Sequence, residues 1–422
     1  MKTSPQESIK LDETIDVELV EPPEPEPEPA AAGDASGASP EAGKPRGEKL
    51  KSKGKGAAAS VAPAVPQPEL ELGPKAGPAP APASGKPVKP APAPVPEFIP
   101  LRVKENVPEE PQETSHGPVD LRVSVKSLKL ANPIITASGT FAAGREYADL
   151  VDITRLGALT TKGVSAIPWK GNPGRRLAET AAGVLNSIGL QNPGVKHFIR
   201  YDLRWLKENA SELPVIVNVC GHRVSEYVAV IERLEQESGV AAYELNISCP
   251  NLDAGGMTIG ADPAAAAEVT QVCRAVTSRP LIVKLTPNVS DITEVARAVE
   301  AAGADAISLI NTVLGMAINA RLRTLVFERG VAGLSGPAIK PIALRMVYDV
   351  ARSVKVPIIG MGGVTTGLDV AEFMLAGATA VAIGTANFDN PRATTDALDE
   401  LERYCEEQGV EKAADLIGAL RA

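Results

Sequence analysis

Cysteine and histidine are both scarce. The four cysteines, Cys220, Cys249, Cys273 and Cys405, form no C-x-x-C pair, which argues against a disulfide framework, a structural zinc or an iron–sulfur cluster within this chain. The three histidines, His116, His197 and His222, have no partner at helical i, i+4 spacing, so no metal site is expected. Long apolar runs are missing too. The Met1 end is acidic and proline-rich instead of basic then apolar, so neither a transmembrane span nor a secretory signal is expected, and the protein should be soluble and cytoplasmic.

Aromatics are few and unevenly placed. Phe98 is the only one of them in the first 118 residues, a stretch that holds 24 of the 37 prolines. Such a segment cannot bury enough apolar area to offset the entropy of ordering it, so residues 1–118 are expected to be a disordered extension. Acidic EPPEPEPEP (21–29) gives way to basic KPRGEKLKSKGK (44–55), then to Pro-Ala repeats that favour polyproline II, the pattern of a stiff solvated spacer. Of the formal net charge of −9, this extension carries 13 Lys and Arg against 19 Asp and Glu. The remainder is only mildly acidic, and no nucleic-acid footprint is expected on it. Residues 119–422 have the length of one large globular domain or two small ones.

From Val119 the pattern is one of short apolar runs. VDLRVSV and SLKL alternate, which predicts a small hairpin. Eight continuous runs follow, most of them leading into a helical stretch: PIITASG (133–139), ALTTKGV (158–164), VIVNVCG (215–221), AYELNISCP (242–250), PLIVKLTP (280–287), AISLINT (306–312), PIIGMGGV (357–364) and AVAIGTA (380–386). Buried parallel strands read this way, and eight strand–helix units predict a closed (β/α)8 TIM barrel. A doubly wound open sheet is the alternative. Two of the helices are well marked. DITEVARAVEAAGAD (291–305) opens on an Asp N-cap, stripes Ile292, Val295, Ala296 and Val299, and ends at Gly303; LDVAEFMLAGA (368–378) ends at Gly377.

In such a barrel the chemistry sits at the C-terminal strand ends. Those ends carry Ser138, Lys162, Asn218, Asn246, Cys249, Lys284, Asn311, Thr312, Gly362, Gly363, Gly384 and Thr385. With no carboxylate pair and no histidine, the set poorly serves metal hydrolysis, glycoside hydrolysis or a Ser-His-Asp mechanism. Convergent asparagines match the imide edge of a flavin or a pyrimidine, the late glycines fit a barrel phosphate site, and Lys284 would stabilise charge on a reduced ring. Flavin mononucleotide (FMN) is the cofactor these features imply. Singly, each residue also has a plainer reading as a turn, cap or surface residue. Cys220 and Cys273 read as structural core. Cys249 stands apart, because it ends the fourth run just before NLDAGGMTIGAD, whose Gly255, Gly256 and Gly260 would let that loop move as a lid. Its thiol, with a reference pKa of about 8.5, could be made a usable base.

ASGT (137–140), TTKG (160–163), NSIGLQNPG (186–194), ELNISCPN (244–251), VKLTPN (283–288), INT (310–312), GLSGPAIKP (333–341), GMGG (360–363) and IGTA (383–386) together resemble the dihydroorotate dehydrogenases. The resemblance runs from about Val119 to the C-terminus. It implies that Cys249 removes a C5 proton from (S)-dihydroorotate while hydride leaves C6 for flavin N5, giving orotate in de novo UMP synthesis. Lys162, Asn186, Ser187, Ile188, Gly189, Leu190, Asn246, Asn311 and Thr312 would hold the orotate. Ser138, Thr161, Lys162, Asn218, Asn246, Lys284, Ile310, Gly336, Gly362, Gly363, Gly384 and Thr385 would hold one FMN. Cysteine at position 249, GLQNPG and GLSGPAIKPIALRMVYDVA resemble the type 1B catalytic subunit, which reduces NAD through a partner carrying FAD and a [2Fe-2S] cluster. The assembly so implied has two catalytic and two electron-transfer chains around a homodimeric core. The chain itself has no cysteine cluster and no G-x-G-x-x-G fold, so electrons must leave through another protein or a diffusible acceptor. A dihydropyrimidine dehydrogenase-like chain acting on uracil or thymine, and a fumarate-linked type 1A enzyme, are the alternatives.

Overall fold

In a computed structural model of the chain, the described residues are 118–248 and 259–421. The N-terminal extension, Cys249 and the loop glycines Gly255 and Gly256 lie outside them. Eight strands form one parallel sheet: β1 (Ile134–Thr136), β2 (Leu159–Thr160), β3 (Val215–Val219), β4 (Ala242–Asn246), β5 (Leu281–Leu285), β6 (Ala306–Leu309), β7 (Ile358–Met361) and β8 (Ala380–Ile383). Each falls within one of the eight apolar runs, and every residue in them is buried, which is why the sequence shows continuous apolar stretches and no alternation. From β2 to β8 each strand pairs with the next, and β8 pairs with β1. The order never reverses, which removes the doubly wound alternative.

The seam between β1 and β2 is the thinnest joint. A single parallel bridge, Ile135 to Ala158, closes it, and the Thr136 side chain continues the ladder. Its Oγ1 donates to the Thr160 carbonyl at 3.2 Å and accepts from the Thr160 N–H at 2.9 Å.

The helices packed outside the sheet start where local chemistry dictates. Asp291 caps Ile292–Ala301 by accepting from the Thr293 N–H, the predicted stripe is buried, and the chain turns away at Gly303 with φ +102°. Gly367–Leu375 opens one residue earlier than the pattern suggested, because Thr366 and Asp369 form a reciprocal capping box. The expected hairpin is present as Val123–Val125 against Leu128–Leu130. It ends just before β1, at the N-terminal end of the barrel, and sends Val123, Val125, Leu128 and Leu130 into the main core.

One layer was not anticipated. Val313–Met316, Val331–Ser335, Gly183–Asn186 and Leu177–Thr180 form a four-stranded antiparallel sheet in that order, drawn from the insertions after β2 and β6. It has its own small core of Leu185, Phe327 and Ala332. Among the described residues, no helix is long and apolar enough to cross a membrane.

Candidate active site

The C-terminal ends of the strands and the added sheet enclose a cavity of about 1150 Å³. That is slightly larger than the usual small-molecule site of about 300–1,000 Å³. Ser138, Lys162, Asn218, Asn246, Lys284, Ile310, Asn311, Thr312, Gly336, Gly362, Gly363, Gly384 and Thr385 all line it, as do Asn186, Ser187, Ile188, Gly189 and Leu190 from the insertion after β2. Residues from 138 to 385 thus meet at one place, as the strand-end reading expected. Thr161 does not line the cavity. It is buried, donates to the Lys162 carbonyl at 2.9 Å and accepts from the Asn218 N–H at 3.2 Å, so it fixes two lining residues from behind.

The floor of the cavity is a buried polar network. The Lys284 Nζ donates to Ser138 Oγ at 3.0 Å and lies 3.9 Å from a carboxylate oxygen of Glu244, both side chains being almost wholly buried. Lys284 is therefore not a surface lysine. Glu244 also accepts from Asn218 Nδ2 at 2.6 Å and from Ser308 Oγ at 2.8 Å. Above it, Asn246 Nδ2 donates to Asn218 Oδ1 at 3.4 Å, Ser248 Oγ donates to Asn246 Oδ1, and Asn311 Nδ2 donates to Ser248 Oγ at 2.7 Å. Each asparagine keeps a polar edge committed to a neighbour, which fixes its orientation before any ligand arrives.

The walls carry residues that the strand-end survey passed over. Asn288 donates to Thr286 Oγ1 and to the Thr312 carbonyl, both at 3.0 Å, and accepts from the Leu314 N–H, tying β5 to the added sheet. Trp169 and His222 stack with ring centroids 4.2 Å apart, so a histidine does stand at the cavity wall. Lys162 is half-buried, and burial, opposed by Glu146 and reinforced by Arg176, pulls its ammonium below the usual lysine range. Glu244 had a signal in the sequence, an acidic residue in an otherwise apolar buried run; the stack of Trp169 on His222 had none.

The far side of the cavity suits a phosphate. Gly363 has φ +76°, and a Cβ there would come within 2.7 Å of the Lys340 nitrogen. Among the described residues, none accepts a hydrogen bond from the N–H groups of Gly363, Gly384 or Thr385, and backbone donors of this kind suit an anion. Behind them Asp369 accepts from the N–H groups of Thr365 and Thr366 at 2.7 and 3.0 Å and pairs with Lys340. Burial pushes the Asp369 carboxyl upward, but Lys340 and the Thr365 and Thr366 donors outweigh it and hold it below the usual carboxylate range. An anion cradle, a buried lysine and fixed amide edges in one cavity fit FMN.

A barrel with these parts is that of a flavin-linked oxidoreductase, and comparison with known proteins narrows it. Residues 120–405 match the family described as dihydroorotate dehydrogenase. The chain is similar to a protein of Alkaliphilus oremlandii named dihydroorotate dehydrogenase B (NAD(+)), catalytic subunit, 54% identical over 301 residues, 71% of this chain and 99% of that one. It is similar to proteins of the same name from Geotalea uraniireducens, 51% identical over 304 residues, and from Thermoanaerobacter pseudethanolicus, 49% over 303 residues. Each match covers 72% of this chain and 99% of the relative. The chain belongs to the dihydroorotate dehydrogenase family, whose members are FMN-carrying oxidoreductases.

Proposed function

We propose that the chain is the catalytic subunit of an NAD-linked dihydroorotate dehydrogenase, oxidising (S)-dihydroorotate to orotate in cytoplasmic UMP synthesis. The observation that carries this reading is the convergence on one cavity of a buried lysine, preorganised asparagines and three backbone donors from which no described residue accepts. When bound, FMN supplies the acceptor for the substrate's hydride. Gly363, Gly384 and Thr385 hold its phosphate; Ser138, Asn218, Lys284, Ile310, Gly336 and Gly362 hold the remainder, with Thr161 supporting Asn218. Lys162, Asn186 with the Ser187–Leu190 segment, Asn246, Asn311 and Thr312 hold the substrate ring and carboxylate. Cys249 takes the C5 proton. It follows Ser248, whose hydroxyl is fixed between Asn246 and Asn311.

Electrons leave through a separate chain with FAD and a [2Fe-2S] cluster, two copies of it on a homodimeric catalytic core. The names of the relatives support an electron-transfer partner, since each is called a catalytic subunit. Exposed aliphatics on the mouth insertion, Leu314, Met316, Ile318, Leu322 and Leu325, suit burial by another chain. The names also favour this reading over a uracil- or thymine-reducing chain and over a fumarate-linked enzyme. Anaerobic titration of the FMN-loaded protein tests it: dihydroorotate should bleach the flavin, and orotate should perturb its spectrum at far lower concentration than uracil. Equal responses to both pyrimidines would overturn the substrate; rapid reoxidation by fumarate without a partner would overturn the subtype.

A further inference from the structure

The proposed reaction leaves Glu244 without a task. A carboxylate inside a barrel costs several kcal/mol to desolvate unless it is well bonded, and this one is only 2% exposed. Asn218 and Ser308 each donate to it, and Lys284 stands 3.9 Å away. Strand register puts the group together, since Asn218 pairs with Glu244 while Asn246 and Ser308 pair with Lys284. Glu244 does not line the cavity; Lys284 does.

Among the described residues, no other carboxylate pairs with Lys284. β6 offers Lys284 only the Ser308 hydroxyl, and Ser138 offers a hydroxyl from the end of β1. Tyr243, the other titratable residue of β4, bonds Glu235 and Arg279 instead. Lys162, Lys170 and Arg329 also line the cavity, but as cations they offer Lys284 no counter-charge. An ammonium buried without a counter-ion sheds its proton.

We propose that Glu244 is a positioning residue, the fixed counter-ion that keeps Lys284 protonated and directed at Ser138 on the cavity floor. Reduction of the bound flavin then draws one proton for every two electrons, because Lys284 already carries its own. The inference rests on the FMN reading of the site. Removing the carboxylate charge strips Lys284 of its proton in the oxidised protein, and the negative charge arriving on reduction restores it, so a second proton is taken up.

The test is the midpoint potential of the FMN-loaded protein, measured spectroelectrochemically from about pH 7 to 9, where a free lysine stays charged. For a two-electron couple a tenfold change in proton concentration is worth about 30 mV per proton. The wild type should fall by about 30 mV per pH unit and Glu244→Gln by about 59 mV. Glu244→Gln combined with Lys284→Met should return to the wild-type slope. Glu244→Asp, which keeps the charge, should stay close to the wild-type slope and keeps the role testable where the glutamine variant does not fold. A wild-type slope in Glu244→Gln, or the full steep slope in Glu244→Asp or in the double variant, overturns the role of Glu244. A chain that takes up no FMN refutes the reading of the site itself.

Discussion

The two ends of the barrel are built from the same eight strands and have opposite chemistry. At the N-terminal end the hairpin Val123–Leu130 adds four buried aliphatics to the main core. At the C-terminal end the strands finish in Asn246, Lys284 and Asn311, with Glu244 and Ser308 one layer below, and a second sheet covers them. Apolar burial there is replaced by a hydrogen-bonded network that stabilises only while each partner is present. One end therefore determines whether the chain folds, and the other what it does. Substitutions should separate the two.

The largest effect belongs to the mouth. Cys249→Ala should slow reduction of the flavin by dihydroorotate by about 10²–10⁴-fold at pH 7 in rapid-mixing measurements, while FMN stays bound. Cys249→Ser should recover part of the rate as pH rises; unchanged kinetics in either variant would remove the base role. At the opposite end, Leu130→Ala should cost about 2–5 kcal/mol in urea unfolding, with the flavin spectrum of the folded fraction unaltered. A shifted spectrum would mean that the two ends are coupled.

Smaller effects sharpen the same division. Gly363→Ala places a methyl against the backbone of Lys340 at a positive φ. Strain of about 1–3 kcal/mol in the folded chain should lower the stability of the flavin-free protein by that amount in urea unfolding, and displacement of the Gly363 N–H should weaken FMN binding in a flavin titration. Smallest is the acid limb. Because the folded-state Asp369 carboxyl is held below its unfolded value, its contribution is complete above the ordinary carboxylate range and is lost as pH falls through the lowered value. Melting temperature against pH should therefore decline less on the acid side in Asp369→Asn than in the wild type.

The barrel was legible because its signals are local. A buried parallel strand such as Val215–Val219 is an unbroken apolar run, and Asp291 lies next to the helix that it caps. The mouth sheet was not legible, since Gly333 pairs with Asn186 across 147 positions and Val313–Met316 is half exposed, with nothing nearby to mark it. The site was half legible. Strand-end polarity identified the lining residues, but Glu244 acquires meaning only beside Lys284 and Ser308, and Thr161 only behind Asn218. Such pairings are properties of the closed barrel.

The seam between β1 and β2 bears on this division. Ser138 follows one of its strands and Lys162 the other, and both face the cavity across the joint that a single bridge and the Thr136 hydroxyl hold shut. Anything that grips both residues acts as a staple on the cylinder. Amide hydrogen exchange along Ile134–Thr136 and Leu159–Thr160 should slow on ligand binding more than anywhere else in the wall, making the weakest stave the gauge of an occupied mouth.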